Sequence, residues 1–192
     1  MEKRGVELAH ATINRWVIKY SPLLEEAFHR RKRPVWVSWR MDETYIRVQG
    51  AWKYLYRAVD KYGKTIDFVL TEHRDEQAAK MFLTKAIRRH GGVPEKITID
   101  GSTANEAAIK SYNEAHGTAI VIRKTKYLNN IVEQDHRAVK RVTRPMLGFK
   151  AFDAAQSTLT GIELIHMLRK GQLEGGREAG RSAAEQFYAL AA

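Results

Sequence analysis

The sequence predicts a mixed α/β fold, a five-stranded sheet with helices on both faces. Three observations predict it: three β-patterned runs joined by short turns, a following alternation of helical and strand patterns, and Gly or Pro stops where the periodicity changes. With 192 residues the chain can bury one full α/β core plus a small appendage. Residues 35–48 alternate and are rich in Val, Trp, Tyr and Ile, and 51–60 and 65–71 repeat the pattern. Gln49-Gly50 and Tyr62-Gly63 supply turns too short for a parallel crossover, so these strands form an antiparallel meander. Residues 75–90 change to helical spacing, with Ala79, Phe82, Leu83 and Ala86 on one stripe and Gly91-Gly92 as the stop. A short buried strand over 96–100, a helix over 105–116, a strand over 119–123 and a basic helix over 130–144 ended by Pro145 complete the order βββαβαβα.

That order is the one the ribonuclease-H-like fold uses. Ahead of it, residues 6–20 read as one helix stopped by Ser21-Pro22, and 23–28 as a second short helical pattern. The basic run 29–34 then reads as a linker. Behind the core come a long helix over 151–170 and a Gly- and Ala-rich tail expected to be loosely ordered. The expected division is 1–34, 35–150 and 151–192, with no internal repeat.

The 33 Lys and Arg against 22 Asp and Glu leave a formal charge of +11, a surplus that attracts a polyanion. These cations lie along patterned segments and not in a terminal tail, which favours a folded surface docked on a phosphate backbone. No apolar run is long enough to span a bilayer, and Met1 to Gly5 lacks the apolar core of a signal peptide, so a cytoplasmic location without membrane contact is expected. The absence of cysteine excludes disulfides, zinc ribbons and thiol catalysis and leaves oxygen or imidazole ligands, which favours a hard cation such as Mg²⁺. No Walker loop, G-x-G-x-x-G or paired-histidine motif supports a rival chemistry.

Three acids stand out. Asp42 lies inside the first strand pattern, where a buried carboxylate needs a metal, a cation or several donors; the alternative is an exposed strand acid paired with Arg40. Asp100 closes the apolar strand Ile97-Thr98-Ile99, a place where α/β sheets present ligand groups; the alternative is a turn acid before Gly101. Glu133 begins a helical stripe with Arg137, Lys140 and Arg144, opposite Ile131, Val132, Val139 and Val142; the alternative is a capping box with Asn130. Asp135 falls on the apolar side, where it can act as the buried acid that holds the helix in place. If the sheet order above is right, the three acids converge and can hold two Mg²⁺ ions about 3.5–4 Å apart for in-line displacement at phosphorus.

The runs Asp42-Glu43-Thr44-Tyr45-Ile46, 52–60, Tyr127-Leu128-Asn129-Asn130, Glu133-Gln134-Asp135-His136, Lys140-Arg141 and Leu147-Gly148-Phe149-Lys150 resemble the DDE transposases of bacterial insertion sequences, of the insertion sequence 6 type. The resemblance implies a ribonuclease-H-like catalytic domain with Asp42, Asp100 and Glu133 as its metal-binding triad. It also implies Mg²⁺ dependence, DNA cleavage that frees a 3′-hydroxyl for attack on target DNA, and a homodimer or larger assembly holding two transposon ends.

Two features depart from the family pattern. Asp100 and Glu133 are separated by 32 residues, slightly fewer than in the family, and only a partial helix-turn-helix, around residues 10–16, stands at the front. The chain is thus identified as an N-terminally shortened member, either an active transposase or a catalytically weak DNA-binding remnant that regulates full-length copies. Thr12, Asn14 and Arg15 are the base-contact candidates, and Lys124, Lys126, Arg137, Lys140 and Arg144 the phosphate contacts. Trp36, Trp39, Trp52 and Tyr56 either stack on extruded bases or pack in the core.

Overall fold

The computed structural model describes residues 9–176 and 179–191, without the side chains of Lys126 and Ala191. Its elements in chain order are α1 (His10–His29), β1 (Ser38–Val48), β2 (Ala51–Asp60), β3 (Thr65–Thr71), α2 (Glu76–His90), β4 (Lys96–Ile99), α3 (Thr103–His116), β5 (Val121–Lys124), α4 (Asn130–Thr143), α5 (Phe152–Arg169) and α6 (Ala183–Ala191). Contacts divide the chain into two compact units, one of residues 34–149 and one joining the segments on either side of it.

In the unit of residues 34–149 the five strands lie in the order β3-β2-β1-β4-β5. β1, β2 and β3 pair antiparallel, as their short turns require, while β4 joins β1 and β5 joins β4 in parallel after helical crossovers. Gln49 and Gly50 turn the first hairpin with φ 51° and 76°, the left-handed pair that suits the twist of two-residue turns. The β1–β2 register sets the faces. Trp39 and Met41 share one face with Tyr56 and Ala58 and pack against Phe82, Leu83, Ala108 and Ile109 from α2 and α3. The opposite face, with Asp42 and Arg57, carries α4, whose Val132 and Val139 are buried. Both helices on the first face are capped as their sequences dictate. Asp75 and Ser102 accept from backbone N–H groups at the N-termini, and Gly91 and Gly117 take left-handed conformations at the C-termini.

The unit formed by the two flanking segments departs from expectation. Ser21-Pro22 does not stop α1, and no turn divides the described residues of this segment into the two helices of a helix-turn-helix. The expected start at residue 6 lies outside the described residues. Pro22 removes one helical hydrogen bond, a cost of about 3 kcal/mol. The helix continues because Ser21, Glu25 and Phe28, at spacings of four and three, make a buried stripe only if it does. Gly161 of α5 admits Ser21 closely, since a Cβ there would lie 3.0 Å from the Ser21 Oγ.

The region after α5 is anchored, not loose. Arg33 donates its N–H to the Gln172 carbonyl at 2.9 Å, Glu174 donates to the Arg31 carbonyl at 2.9 Å, and Leu173 and Leu190 are buried. The first and last segments of the chain pack on each other and so fall in one compact unit.

Candidate active site

Three separate elements place Asp42, Asp100 and Glu133 within electrostatic reach of one another. Asp42 sits in β1 on the α4 face and is buried. The β1–β4 register pairs Trp39 with Ile97 and Arg40 with Thr98. Carried two residues further, that register runs to Asp42 and Asp100. Asp100 follows β4, is exposed, and accepts a hydrogen bond from the Ser102 N–H at 3.1 Å, so it also serves the local turn before α3. Glu133 lies in the first turn of α4, half-buried. The capping-box alternative is not realised, because the N-cap is Asn129 and its side chain makes no cap bond.

The electrostatics record the convergence. Burial first, then the charges of Glu43, Asp100 and Glu133, push the Asp42 carboxyl up to about 7, against a backbone hydrogen bond at Glu43 that lowers it. The alternative of an exposed Asp42 paired with Arg40 fails on both counts, since Asp42 is buried and Arg40 donates from Nε to the Leu128 carbonyl at 3.2 Å. His136 of α4 places Nδ1 3.7 Å from an Asp42 oxygen. Burial, then Arg57 and Lys140, hold its imidazole well below the ordinary histidine range, so the contact is a neutral ring beside the carboxyl and not an ion pair.

A second layer supports these groups. Arg57, fully buried on β2, donates to Asp135 of α4 at 2.9 Å and ties that helix to the sheet two residues from Glu133. Asp135 is therefore the buried acid its position on the apolar side suggested. Glu43, next to Asp42 on the other face, accepts from Arg74 Nε and from Asn105 Nδ2, the latter at 3.0 Å. Arg74 and Asn105 were not singled out from sequence, and Glu43, Arg57 and His136 stood there only within the family runs, with no role given to them. The one available signal beyond the family runs was the succession of three charged or polar residues, Asp42-Glu43-Thr44, inside a strand pattern, and all three proved buried.

The basic candidates divide. Lys140 is half-buried; burial and Arg144 lower its pKa while the charge of Asp42 raises it, which sets it near the acids. Arg137 and Arg144 are exposed on or just beyond α4. Lys124 lies at the end of β5 and pairs with Glu106 at 2.7 Å. The Lys126 side chain lies outside the described set. Thr12, Asn14 and Arg15 belong to α1 in the other unit, where Asn14 and Arg15 are exposed and Thr12 half-buried. Among the aromatics, Trp39 and Tyr56 are core residues, whereas Trp36 and Trp52 are exposed. A cavity of about 570 Å³ opens between the β1–β2 hairpin and the C-terminal end of α4.

Among the described residues no helix is long and apolar enough to cross a membrane. Residues 36–172 match the DDE domain of IS240-type transposases. The chain is 38% identical over 178 residues to the Staphylococcus aureus transposase for insertion sequence-like element IS431mec, covering 88% of this chain and 75% of that protein. It is equally 38% identical over 175 residues to the S. aureus transposase for IS257 in transposon Tn4003, covering 87% and 73%. In fold it is similar to the HTLV-2 integrase catalytic core solved with magnesium in a trimeric form (TM-score 0.54, 16% identity, 79% of this chain and 95% of that one). It is similar also to the BIV integrase catalytic core (TM-score 0.52, 15% identity, 79% and 93%). The sheet order and these likenesses make the fold ribonuclease-H-like. The chain belongs to the DDE transposases, enzymes that cut and transfer DNA, through a DDE domain of the IS240 type.

Proposed function

We propose that this chain cleaves DNA at insertion-sequence ends and joins the freed 3′-hydroxyl to target DNA, with Asp42, Asp100 and Glu133 as ligands of two Mg²⁺ ions. The observation that carries the reading is the state of Asp42, a buried carboxyl raised to about 7 by burial and by neighbouring acids from three other positions. Such crowding is unfavourable for the folded chain unless a cation shares the acids. The donors are all carboxylate oxygens, which suit a hard divalent ion. When bound, the ions activate the attacking oxygen and neutralise the leaving one in an in-line displacement at phosphorus.

The chain's own residues do the positioning. The Arg57–Asp135 bond holds α4 against β2 and with it the carboxyl of Glu133. Arg74 and Asn105 fix Glu43 on the far face of β1. Lys140 draws a phosphate toward the acids, and Arg137 and Arg144 continue the basic stripe along the DNA backbone. Holding two element ends calls for a homodimer or a larger assembly.

Cleavage and joining of end-containing duplex DNA test the reading. The expected result is product formation in Mg²⁺ that disappears in EDTA and in Asp100→Ala, with DNA binding retained in that variant. Joining that survives Asp42→Ala, Asp100→Ala and Glu133→Ala alike would overturn it. Tight binding with no cleavage by the parent chain would favour the regulatory remnant.

A further inference from the structure

The cavity between the β1–β2 hairpin and the end of α4 has the composition of a nucleotide site. Its lining includes Tyr45, Arg47 and Trp52 from the β1–β2 hairpin and Lys140, Arg144 and Leu147 from α4 and the segment after it. Three of these side chains are cationic and no lining residue is acidic. Its volume, about 570 Å³, falls in the range of sites that enclose small molecules, roughly 300–1,000 Å³.

The aromatic groups are presented, not buried. Trp52 is 59% exposed on β2 opposite Arg47, whose guanidinium lies 5.9 Å from the indole centroid, and Tyr45 meets the same indole edge-on at 6.3 Å. On a sheet that buries Trp39 and Tyr56 completely, so large an exposed aromatic surface calls for a partner with a π-face. The cations beside it call for phosphate.

The segment after α4 adds a third feature. Leu147 is 90% exposed and takes φ 57°, a left-handed conformation that is unfavourable for a branched residue. The chain is pinned there from both sides. Leu147 donates its N–H to the Arg144 carbonyl at 3.2 Å, while Phe149 donates to the Arg47 carbonyl at 2.9 Å and accepts from the Gln49 N–H at 2.7 Å. Gly148 permits the approach, since a Cβ there would lie 3.2 Å from the Arg47 carbonyl oxygen. The backbone thus holds an apolar side chain out into solvent at the cavity wall. DNA-bending proteins use such apolar wedges to unstack a base step.

We propose that this cavity receives one unstacked nucleotide of the DNA next to the cut site. Its base stacks on Trp52 and Tyr45, its flanking phosphates lie against Arg47, Lys140 and Arg144, and Leu147 occupies the gap left in the base stack. The proposal rests on the reading of Asp42, Asp100 and Glu133 as the cutting site. Lys140 connects the two, because it lines the cavity and its charge interacts with that of Asp42.

The test is fluorescence anisotropy with the full chain in EDTA, so that binding does not depend on metal. The probes are a labelled duplex with one unpaired central nucleotide, the same duplex with that nucleotide abasic, and the fully paired duplex. The parent chain is expected to bind the bulged duplex about tenfold more tightly than the paired one, the size of one base stacked on an aromatic ring. The preference disappears with the abasic nucleotide and in Trp52→Ala, weakens in Leu147→Ala and survives in Trp52→Phe. Arg47→Gln weakens binding to all three duplexes by a similar factor and flattens the salt dependence.

Equal binding of bulged and abasic duplexes by the parent chain overturns the proposal even if Trp52→Ala fails to fold. So does a bulge preference that persists in a folded Trp52→Ala. Loss of the preference alongside Mg²⁺-dependent, Asp100-dependent cleavage sinks this inference alone. A base-dependent preference in a chain that never cleaves sinks the two-metal reading and leaves the nucleotide site standing.

Discussion

On one face of the sheet Trp39, Met41 and Tyr56 meet Phe82, Leu83 and Ile109, all of them apolar or aromatic and buried. On the other, alternate residues of the same strands set Arg40, Asp42 and Arg57 against Asp135 and His136 of α4. The two-residue period of a strand makes this division possible, because successive side chains belong to different environments. The first face supplies stability, and the second, with crowded acids and a desolvated histidine, carries the proposed chemistry. Disturbing either face should therefore give a different signature.

The largest loss of stability is expected on the apolar face. Phe82→Ala opens a cavity among buried groups and should cost about 3–5 kcal/mol in urea unfolding. DNA cleavage per folded molecule should hold constant, and a specific activity that fell with stability intact would erase the division of labour.

Next comes Asp135→Ala, which removes the carboxylate bonded to the fully buried Arg57. About 3 kcal/mol is expected from breaking such a pair. Replacing both residues with apolar groups should recover most of it, but not the cleavage rate if α4 shifts Glu133. Full recovery of both would reduce the pair to packing.

Asp42→Asn has the opposite sign. The folded pKa of Asp42, about 7, lies above its ordinary value of 3.8, so the folded chain binds the extra proton. That contribution to stability is complete below about pH 4 and is lost as pH rises through 7. The neutral variant should approach the parent only as pH falls to about 4, and its advantage should grow by more than about 1.4 kcal/mol, the worth of one pKa unit, between pH 5 and pH 8. If the acids hold Mg²⁺ as proposed, the ion is expected to act in the reverse sense, stabilising the parent more at pH 8 than at pH 5, because ligation requires the ionised acids. Urea melts at both pH values in EDTA and in Mg²⁺ check both signs, and a variant no more stable than the parent at pH 8 would remove the repulsion from the account.

The smallest effect belongs to the exposed stripe. Arg137→Gln should leave stability within about 0.5 kcal/mol. The dependence of DNA affinity on salt should become shallower by about one unit in its logarithmic slope. Lys124→Gln makes a useful partner, since Lys124 is already bonded to Glu106 and is expected to change the slope less. Equal slopes would restore Lys124 as a phosphate contact of the same rank.

Much of this arrangement was legible beforehand. The bounds of β2 and β3 and the stops at Gly91 and Gly117 agree with local patterns, because alternation and left-handed glycines act over a few residues. The amphipathic character of α4 separated Glu133, Arg137 and Lys140 from Val132 and Val139. Local rules failed where a distant partner decided the outcome. Pro22 reads as a stop and is overridden by the burial of Ser21, Glu25 and Phe28. Glu43 is one residue from Asp42, yet its partners Arg74 and Asn105 lie 31 and 62 residues along the chain. Arg57 finds Asp135 across 78 residues, a pairing no window of sequence contains. Trp39 and Trp52 carry the same side chain in neighbouring strands, and only the closing of α2 and α3 over one of them separates core from surface.

By itself the sequence determined the kinds and order of elements, the basic balance, the oxygen-only donor set and the motif runs that mark the family, since each is a property of composition or of short-range periodicity. The tertiary structure alone decided that Asp42 is buried, that the charges of Asp100 and Glu133 reach it, and that Lys140 and Trp52 border one cavity. Those outcomes depend on the parallel β1–β4 register and on how α4 settles against the sheet. Coulomb interaction and desolvation act through space, and the distances they depend on exist only once remote segments have packed.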